Sequence, residues 1–154
     1  MFNPAIAGFF FVCYNHRMNK FDNFFMGVAT TAAKLSYAQR LQVGAVAVKD
    51  GNILAFSYNG TLPGTDNRCE DLIDGVLVTK ETTLHAEENL IIKLAKSATT
   101  SVDATIYITH QPCVKCARMI AAAGFSRLVY QHPYRDTTGT ELLKNYGVNI
   151  EEYN

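Results

Sequence analysis

Two helix openings flank a single strand, and that order constrains the fold more than anything else in the sequence. LHAEENLI (84–91) opens one amphipathic segment, PCVKCARMIAAAG (112–124) forms a second, and ATIYITH (104–110) lies between them. In the first, Leu84, Ile91, Ile92 and Ala95 recur at helical spacing, which predicts a helix over 84–97 with those residues facing inward. The second has Pro112 near its start and Gly124 at its end, where a helix best tolerates each. The middle segment has the β-branched and aromatic composition of a strand. In a β-α-β-α path the fronts of successive helices emerge at one edge of the sheet. His85 is thereby brought to Cys113 and Cys116.

The flanking segments extend this pattern. DNFFMGVATTAAKLSYA (22–38) places Phe25, Val28, Ala29, Ala32 and Leu35 at helical spacing, with Asp22 as the expected N-cap. VGAVAVK (43–49) and NILAFSY (52–58) are β-rich and joined by Asp50-Gly51, a short-hairpin signal. Residues 59–83 are rich in Gly, Asn, Asp and Thr and read as a long functional loop. RLVYQ (127–131) reads as a strand, TGTELLKNYG (138–147) as a helix and VNIEEY (148–153) as a last strand. The expected architecture is α/β: a three-layer α/β/α domain with one mixed sheet of about five strands. A chain of 154 residues with 48% apolar content supports one core, expected over 22–154.

Residues 1–21 read as an N-terminal extension or arm. AIAGFFFVCY (5–14) is apolar but has no preceding basic region, so a signal peptide is a poor reading. Met18 is a candidate start, which would make 1–17 an extension. No run is long enough to span a membrane. Lys+Arg and Asp+Glu both number 14, so the chain lacks the basic excess of a protein that grips long nucleic acid. A small-molecule substrate fits better.

Cys113 and Cys116 stand three residues apart at a helix front, so both sulfurs share a face. The helix N-terminus stabilises thiolates there. One nitrogen and two sulfurs suit Zn²⁺ with a fourth position open, which is the catalytic rather than the structural pattern. Two glutamates follow His85. Glu88, three residues on, competes with Glu87 on helical spacing; Glu87 reaches the same site only if first-turn side chains converge beyond the helix end.

His85-Ala86-Glu87 and Pro112-Cys113-Val114-Lys115-Cys116 match the H-x-E…P-C-x-x-C signature of zinc nucleobase deaminases. The chain resembles the cytidine-deaminase superfamily. Ser57-Tyr58-Asn59-Gly60, HAEEN (85–89) and YITHQPCVKCARMIAAAGFSRLVY (107–130) make it most similar to the deoxycytidylate (dCMP) deaminases of phage and bacterial type, over roughly 22–150. Ser57 stands where that family usually has Gly.

The resemblance implies hydrolytic conversion of dCMP to dUMP and ammonia, supplying dUMP for thymidylate synthesis. It implies one catalytic Zn²⁺ on His85, Cys113 and Cys116, and Glu87 rather than Glu88 as the proton carrier. Glu88 is then expected to be solvated or in an ordinary salt bridge. Asn59, the backbone of Ala86, Pro112, and Tyr134-Arg135 become the expected substrate contacts, the last pair at the 5′-phosphate. It also implies an allosteric nucleotide site at Tyr58, Asn59, Gly60, Asp66 and Asn89, activated by dCTP and inhibited by dTTP, with a brace of the helix front as the alternative reading of Asn89. Mg²⁺ would accompany the triphosphate, in a hexamer in the cytoplasm of a bacterium or phage-infected cell. Cys69 and Cys13 are expected to be free thiols rather than ligands of a second zinc. Three rivals remain at this point: a tRNA or polynucleotide deaminase, a zinc-stabilised non-catalytic module, and a free-nucleoside cytidine deaminase. The zero net charge opposes the first. The open ligand position and Glu87 oppose the second. The third usually carries Cys where His85 stands.

Overall fold

The computed structural model describes residues 20–154. The expected arm lies outside them except for Lys20 and Phe21, as does Cys13. The elements run α1 (Lys20–Ala33), β1 (Gly44–Lys49), β2 (Asn52–Tyr58), β3 (Glu70–Ile73), β4 (Val76–Thr79), α2 (Ala86–Ala95), β5 (Thr105–His110), α3 (Val114–Ala122), β6 (Arg127–His132), α4 (Thr138–Asn145) and β7 (Asn149–Glu152). Five strands form one mixed sheet in the order β2-β1-β5-β6-β7. β1 is antiparallel to β2 and β5, whereas β5, β6 and β7 are parallel. The expected three-layer architecture is present.

Strand alternation divides the core into two clusters. Ala45, Ala47, Ile106, Ile108 and Leu128 pack with Leu90 and Leu94 of α2, Ala117 and Ile120 of α3, and Leu143 of α4. Val46, Val48, Tyr107 and Val129 point the other way, onto Phe25, Met26 and Ala29 of α1. Period-2 side chains on strands buried on both faces produce this split.

α1 departs from its expected limits. It ends at Ala33, and Leu35, expected to face inward, is 51% exposed. Beyond the helix the chain turns so that Ser36 Oγ donates to the Asn59 carbonyl at 2.7 Å. Asp22 is not the N-cap but a buried residue inside the helix. It accepts from Tyr107 Oη and from Arg127 Nη1, each at 2.8 Å. Arg127 also grips Glu151 through two nitrogens, at 3.0 and 2.6 Å, tying α1, β5, β6 and β7 together. The inner face of α2 is likewise rotated from expectation. Ala86, Glu87, Leu90 and Leu94 are buried, Ile91 and Ile92 are half-buried, and Ala95 is exposed. An acid occupies an inward position, which apolar periodicity cannot register.

The stretch 59–83 is not wholly irregular. β3 and β4 form a hairpin, pairing Glu70 with Thr79 and Ile73 with Val76. Asp74 and Gly75 turn it at φ of 51° and 78°, close to the 50° and 76° of Asp50 and Gly51 in the β1–β2 turn. Both are Asp-Gly turns with left-handed backbone at each position.

Gly44 sets how closely α1 rests on the sheet. A Cβ there would strike the Ala29 carbonyl oxygen and the Ala33 nitrogen, both helix backbone. Gly44→Ala is expected to lower the urea unfolding free energy by about 3 kcal/mol, because α1 must lift off β1 to relieve the overlap.

Candidate active site

His85 and Cys113 occupy equivalent places. Each is the N-cap of its helix with extended backbone, at φ −68°, ψ 158° and φ −68°, ψ 166° respectively. Extended geometry at an N-cap aims the side chain beyond the helix end, toward the unpaired N–H groups. Cys116 lies in the first turn of α3. The His85 Nδ1, Cys113 Sγ and Cys116 Sγ atoms all lie within 4.8 Å of one another. Nδ1 is 3.4 Å from Cys116 Sγ and 3.8 Å from Cys113 Sγ.

That spacing is a test of metal fit. Tetrahedral zinc with bonds of about 2.0 Å to nitrogen and about 2.3 Å to sulfur sets N–S separations of about 3.5 Å. The donors are therefore already spaced for zinc. No fourth His, Cys, Asp or Glu joins the group among the described residues. The charges suit a cation too. Hydrogen bonds from Cys116 and His85 pull the Cys113 thiol down to about 3. The Cys113 sulfur in turn raises His85 to about 9. Cys116 is pushed up by its bond to Cys113 and by burial, so the metal-free set holds its negative charge on Cys113.

The two glutamates have separate fates. Glu87 is buried, and burial pushes its carboxyl up to about 7. It lines the same cleft as His85 and Cys113. Glu88 turns back: its Oε2 accepts the backbone N–H of His85 at 2.7 Å. This is the reciprocal half of a capping box, not the solvated or ion-paired role expected for it. Two carboxylates in one helical turn thus divide between a buried proton-active position and the helix frame.

The cleft holds about 350 Å³. Of the expected substrate contacts, Asn59, Ala86 and Tyr134 line it, together with His85, Glu87 and Cys113. Pro112 is buried beside Cys113, and Arg135 lies outside the lining. Asn59 also braces the wall: its Oδ1 accepts the Val43 N–H and its Nδ2 donates to the Leu41 carbonyl, both at 2.8 Å. Asn89 Nδ2 donates to the Tyr58 carbonyl at 3.1 Å, fastening α2 to the end of β2. Gly60 bridges to Leu84 just before α2, and Asp66 pairs with Arg68 and Lys80.

Several lining residues had no signal in the sequence. Arg40 brings a guanidinium to one wall, with Nη1 on Thr79 Oγ1 at 3.0 Å. His110 and His132 come from the carboxyl ends of β5 and β6, where ligands of parallel sheets gather. Gln111 is buried, donating to Thr140 Oγ1 and accepting the Tyr134 N–H. Gly139 lets α4 rest against the Pro112 carbonyl and Cys113 backbone, where a Cβ would come within 2.6 Å of the former. Strand pairing and helix packing, which no local window contains, place all of these.

Known proteins agree with this geometry. Residues 19–132 match the cytidine and deoxycytidylate deaminase zinc-binding region. The deoxycytidylate deaminase of Mycobacterium phage D29 is 35% identical over 71% of this chain and 92% of its own length. ComE operon protein 2 of Bacillus subtilis is 33% identical over 85% of this chain and 70% of its own. The crystal structure of dCMP deaminase from cyanophage S-TIM5 in complex with dCMP and dUMP superposes with a TM-score of 0.83 at 37% identity, covering 90% of this chain and 100% of that one. With the signature residues assembled on one sheet edge, the chain belongs to the family of zinc-binding cytidine and deoxycytidylate deaminases.

Proposed function

We propose that the protein catalyses the hydrolytic deamination of dCMP to dUMP and ammonia. The observation that carries this reading is the buried Glu87 carboxyl beside a preformed His85, Cys113 and Cys116 donor set, at a cleft whose wall carries a guanidinium. His85, Cys113 and Cys116 would hold zinc, which when bound acidifies water to a pKa of about 7.

The remaining work falls to the protein's own groups. The oxygen of water adds to C4 of cytosine. Glu87 accepts the proton that water releases and passes it to ring N3. It then takes the remaining proton from the C4 hydroxyl and delivers it to the amino group, so that the C4–N bond breaks, C4=O forms and ammonia departs. Burial raises this carboxyl in the metal-free protein, which favours its holding a proton between the two transfers. The backbone of Ala86 and the Pro112–Cys113 turn meet the base edge. Asn59 meets the sugar, and Tyr134, Arg135 and Arg40 face the 5′-phosphate.

Effector control fits the same frame. dCTP as activator and dTTP as inhibitor, each with Mg²⁺, would bind at Tyr58, Asn59, Gly60, Asp66 and Asn89 of a homo-oligomer, by family analogy a hexamer. The Asn89–Tyr58 bond and the Gly60–Leu84 bridge support this reading, since they join that stretch to the helix bearing His85 and Glu87. A cytoplasmic location accompanies the same reading, and no helix among the described residues is long and apolar enough to cross a membrane.

The test is an ultraviolet absorbance assay of zinc-loaded protein on dCMP, with and without dCTP or dTTP. Conversion of dCMP to dUMP is expected, rising with dCTP and falling with dTTP. Deamination of RNA with no turnover of dCMP would overturn the substrate assignment. Turnover indifferent to both triphosphates would remove only the effector site.

A further inference from the structure

His110 and His132 are brought together by sheet register rather than by sequence. β5 and β6 are parallel, and the two histidines are register partners at their carboxyl ends. Their rings lie 4.8 Å apart between centroids, tilted by 44°. Both line the cleft that holds Glu87 and Cys113. The Thr109 hydroxyl lies 3.0 Å from His110 Nδ1, fixing that nitrogen and leaving Nε2 for the cleft.

The cleft is graded in depth. Glu87 is buried at its floor, His110 is half-buried, and His132, Tyr134 and Arg40 are exposed. A pyrimidine nucleotide that places C4 at the floor therefore carries its phosphate outward, to the exposed rim that bears His132, Tyr134 and Arg40. No carboxylate other than Glu87 is among the lining residues. Two imidazoles set side by side, with no carboxylate beyond Glu87 in the lining, present N–H donors to the cleft. An anion in the cleft can take up those donors together with the Arg40 guanidinium of the same lining.

We propose that His132, backed by His110, is a specificity-determining phosphate contact, through which this cleft prefers a pyrimidine nucleoside 5′-monophosphate to the free nucleoside. The inference rests on the deaminase reading and deepens it. His132 touches the substrate's phosphate and takes no part in the proton transfers of Glu87.

The experiment compares wild type, His132→Ala and His132→Phe, all zinc-loaded, on dCMP and on deoxycytidine. Loss of a charge-assisted hydrogen bond raises the KM for dCMP by at least about tenfold in both variants. The kcat for dCMP and the kcat/KM for deoxycytidine stay within about twofold of wild type. The Phe variant keeps a ring stacked on His110 but has no N–H, so a merely structural role predicts recovery by Phe. Recovery by Phe, an unchanged KM for dCMP, or equal losses on both substrates would each overturn the proposal. Calorimetric titration with dUMP and with deoxyuridine reads the same preference without turnover. Wild type that fails to convert dCMP therefore counts against the deaminase reading, while the dUMP titration still decides the phosphate contact.

Discussion

Glu87→Gln abolishes turnover while leaving the zinc donors filled. The amide keeps the side chain's volume and cannot carry a proton, so the loss of kcat is expected to reach about 10³-fold or more. Zinc content measured on the purified variant stays at wild-type level, because Glu87 is not among the donor atoms. Glu88→Gln is the control. It weakens a hydrogen bond to the His85 N–H and is expected to cost activity only modestly. A result in which Glu88→Gln is the dead enzyme and Glu87→Gln the active one refutes the division of roles.

The same substitution has a signature in the metal-free protein. Burial raises Glu87 from the ordinary 4.5 to about 7, so the folded state binds a proton that the unfolded chain releases between those values. Folding stability from this group is therefore lost as pH rises through that window, by about 3 kcal/mol in all. Glu87→Gln removes that contribution. Above pH 7 the metal-free variant is expected to unfold at higher urea than metal-free wild type, and below pH 4.5 the difference vanishes.

Arg127→Ala is the second large effect, and it concerns folding. Asp22 is 1% exposed, and the Arg127 guanidinium is its 2.8 Å ion partner. Removing the guanidinium takes one charged partner from a buried carboxylate and also frees Glu151 from its 2.6 Å contact. Breaking a buried pair from one side costs about 3–5 kcal/mol. Here Tyr107 Oη still donates to Asp22, so a value near the lower end, about 3 kcal/mol, is expected in urea unfolding at neutral pH. Tyr107→Phe, which leaves the ion pair, is expected to cost about 1 kcal/mol. A drop for Arg127→Ala below that of Tyr107→Phe would show that the guanidinium is not the anchor.

How much of this was legible depends on the range of the interaction. The His85, Cys113 and Cys116 set could be read because the chemistry repeats at helix openings and the intervening strand fixes their shared edge. The five sheet strands and the parallel pairing of the last three followed from periodicity and β/α alternation, whereas their spatial order came only from the pairing itself. The β3–β4 hairpin escaped although Asp74-Gly75 carries the same turn signal as Asp50-Gly51, because the surrounding polar residues read as loop. Asp22 looked like a cap because its true partners stand 85 and 105 residues away. Glu88 looked solvated because its partner is a backbone N–H, which side-chain patterns do not show. His110, His132 and Arg40 each sit in unremarkable local sequence, and only strand register and loop packing give them a common cleft.

The alternation along β6 has one more consequence. Val129 faces α1 with Tyr107, whereas Leu128 faces the layer of α2 and α3. By the same parity Arg127 reaches Asp22 on the first side, and His132 reaches the cleft on the other. The strand therefore behaves like a reading frame. Deleting one residue between Arg127 and His132 would shift one of those two ends to the opposite face. Either the anchor loses its cation or the cleft loses its imidazole, according to which end keeps its pairing. Insertions and deletions in β6 are thus constrained from both ends at once, although each substitution there touches only one.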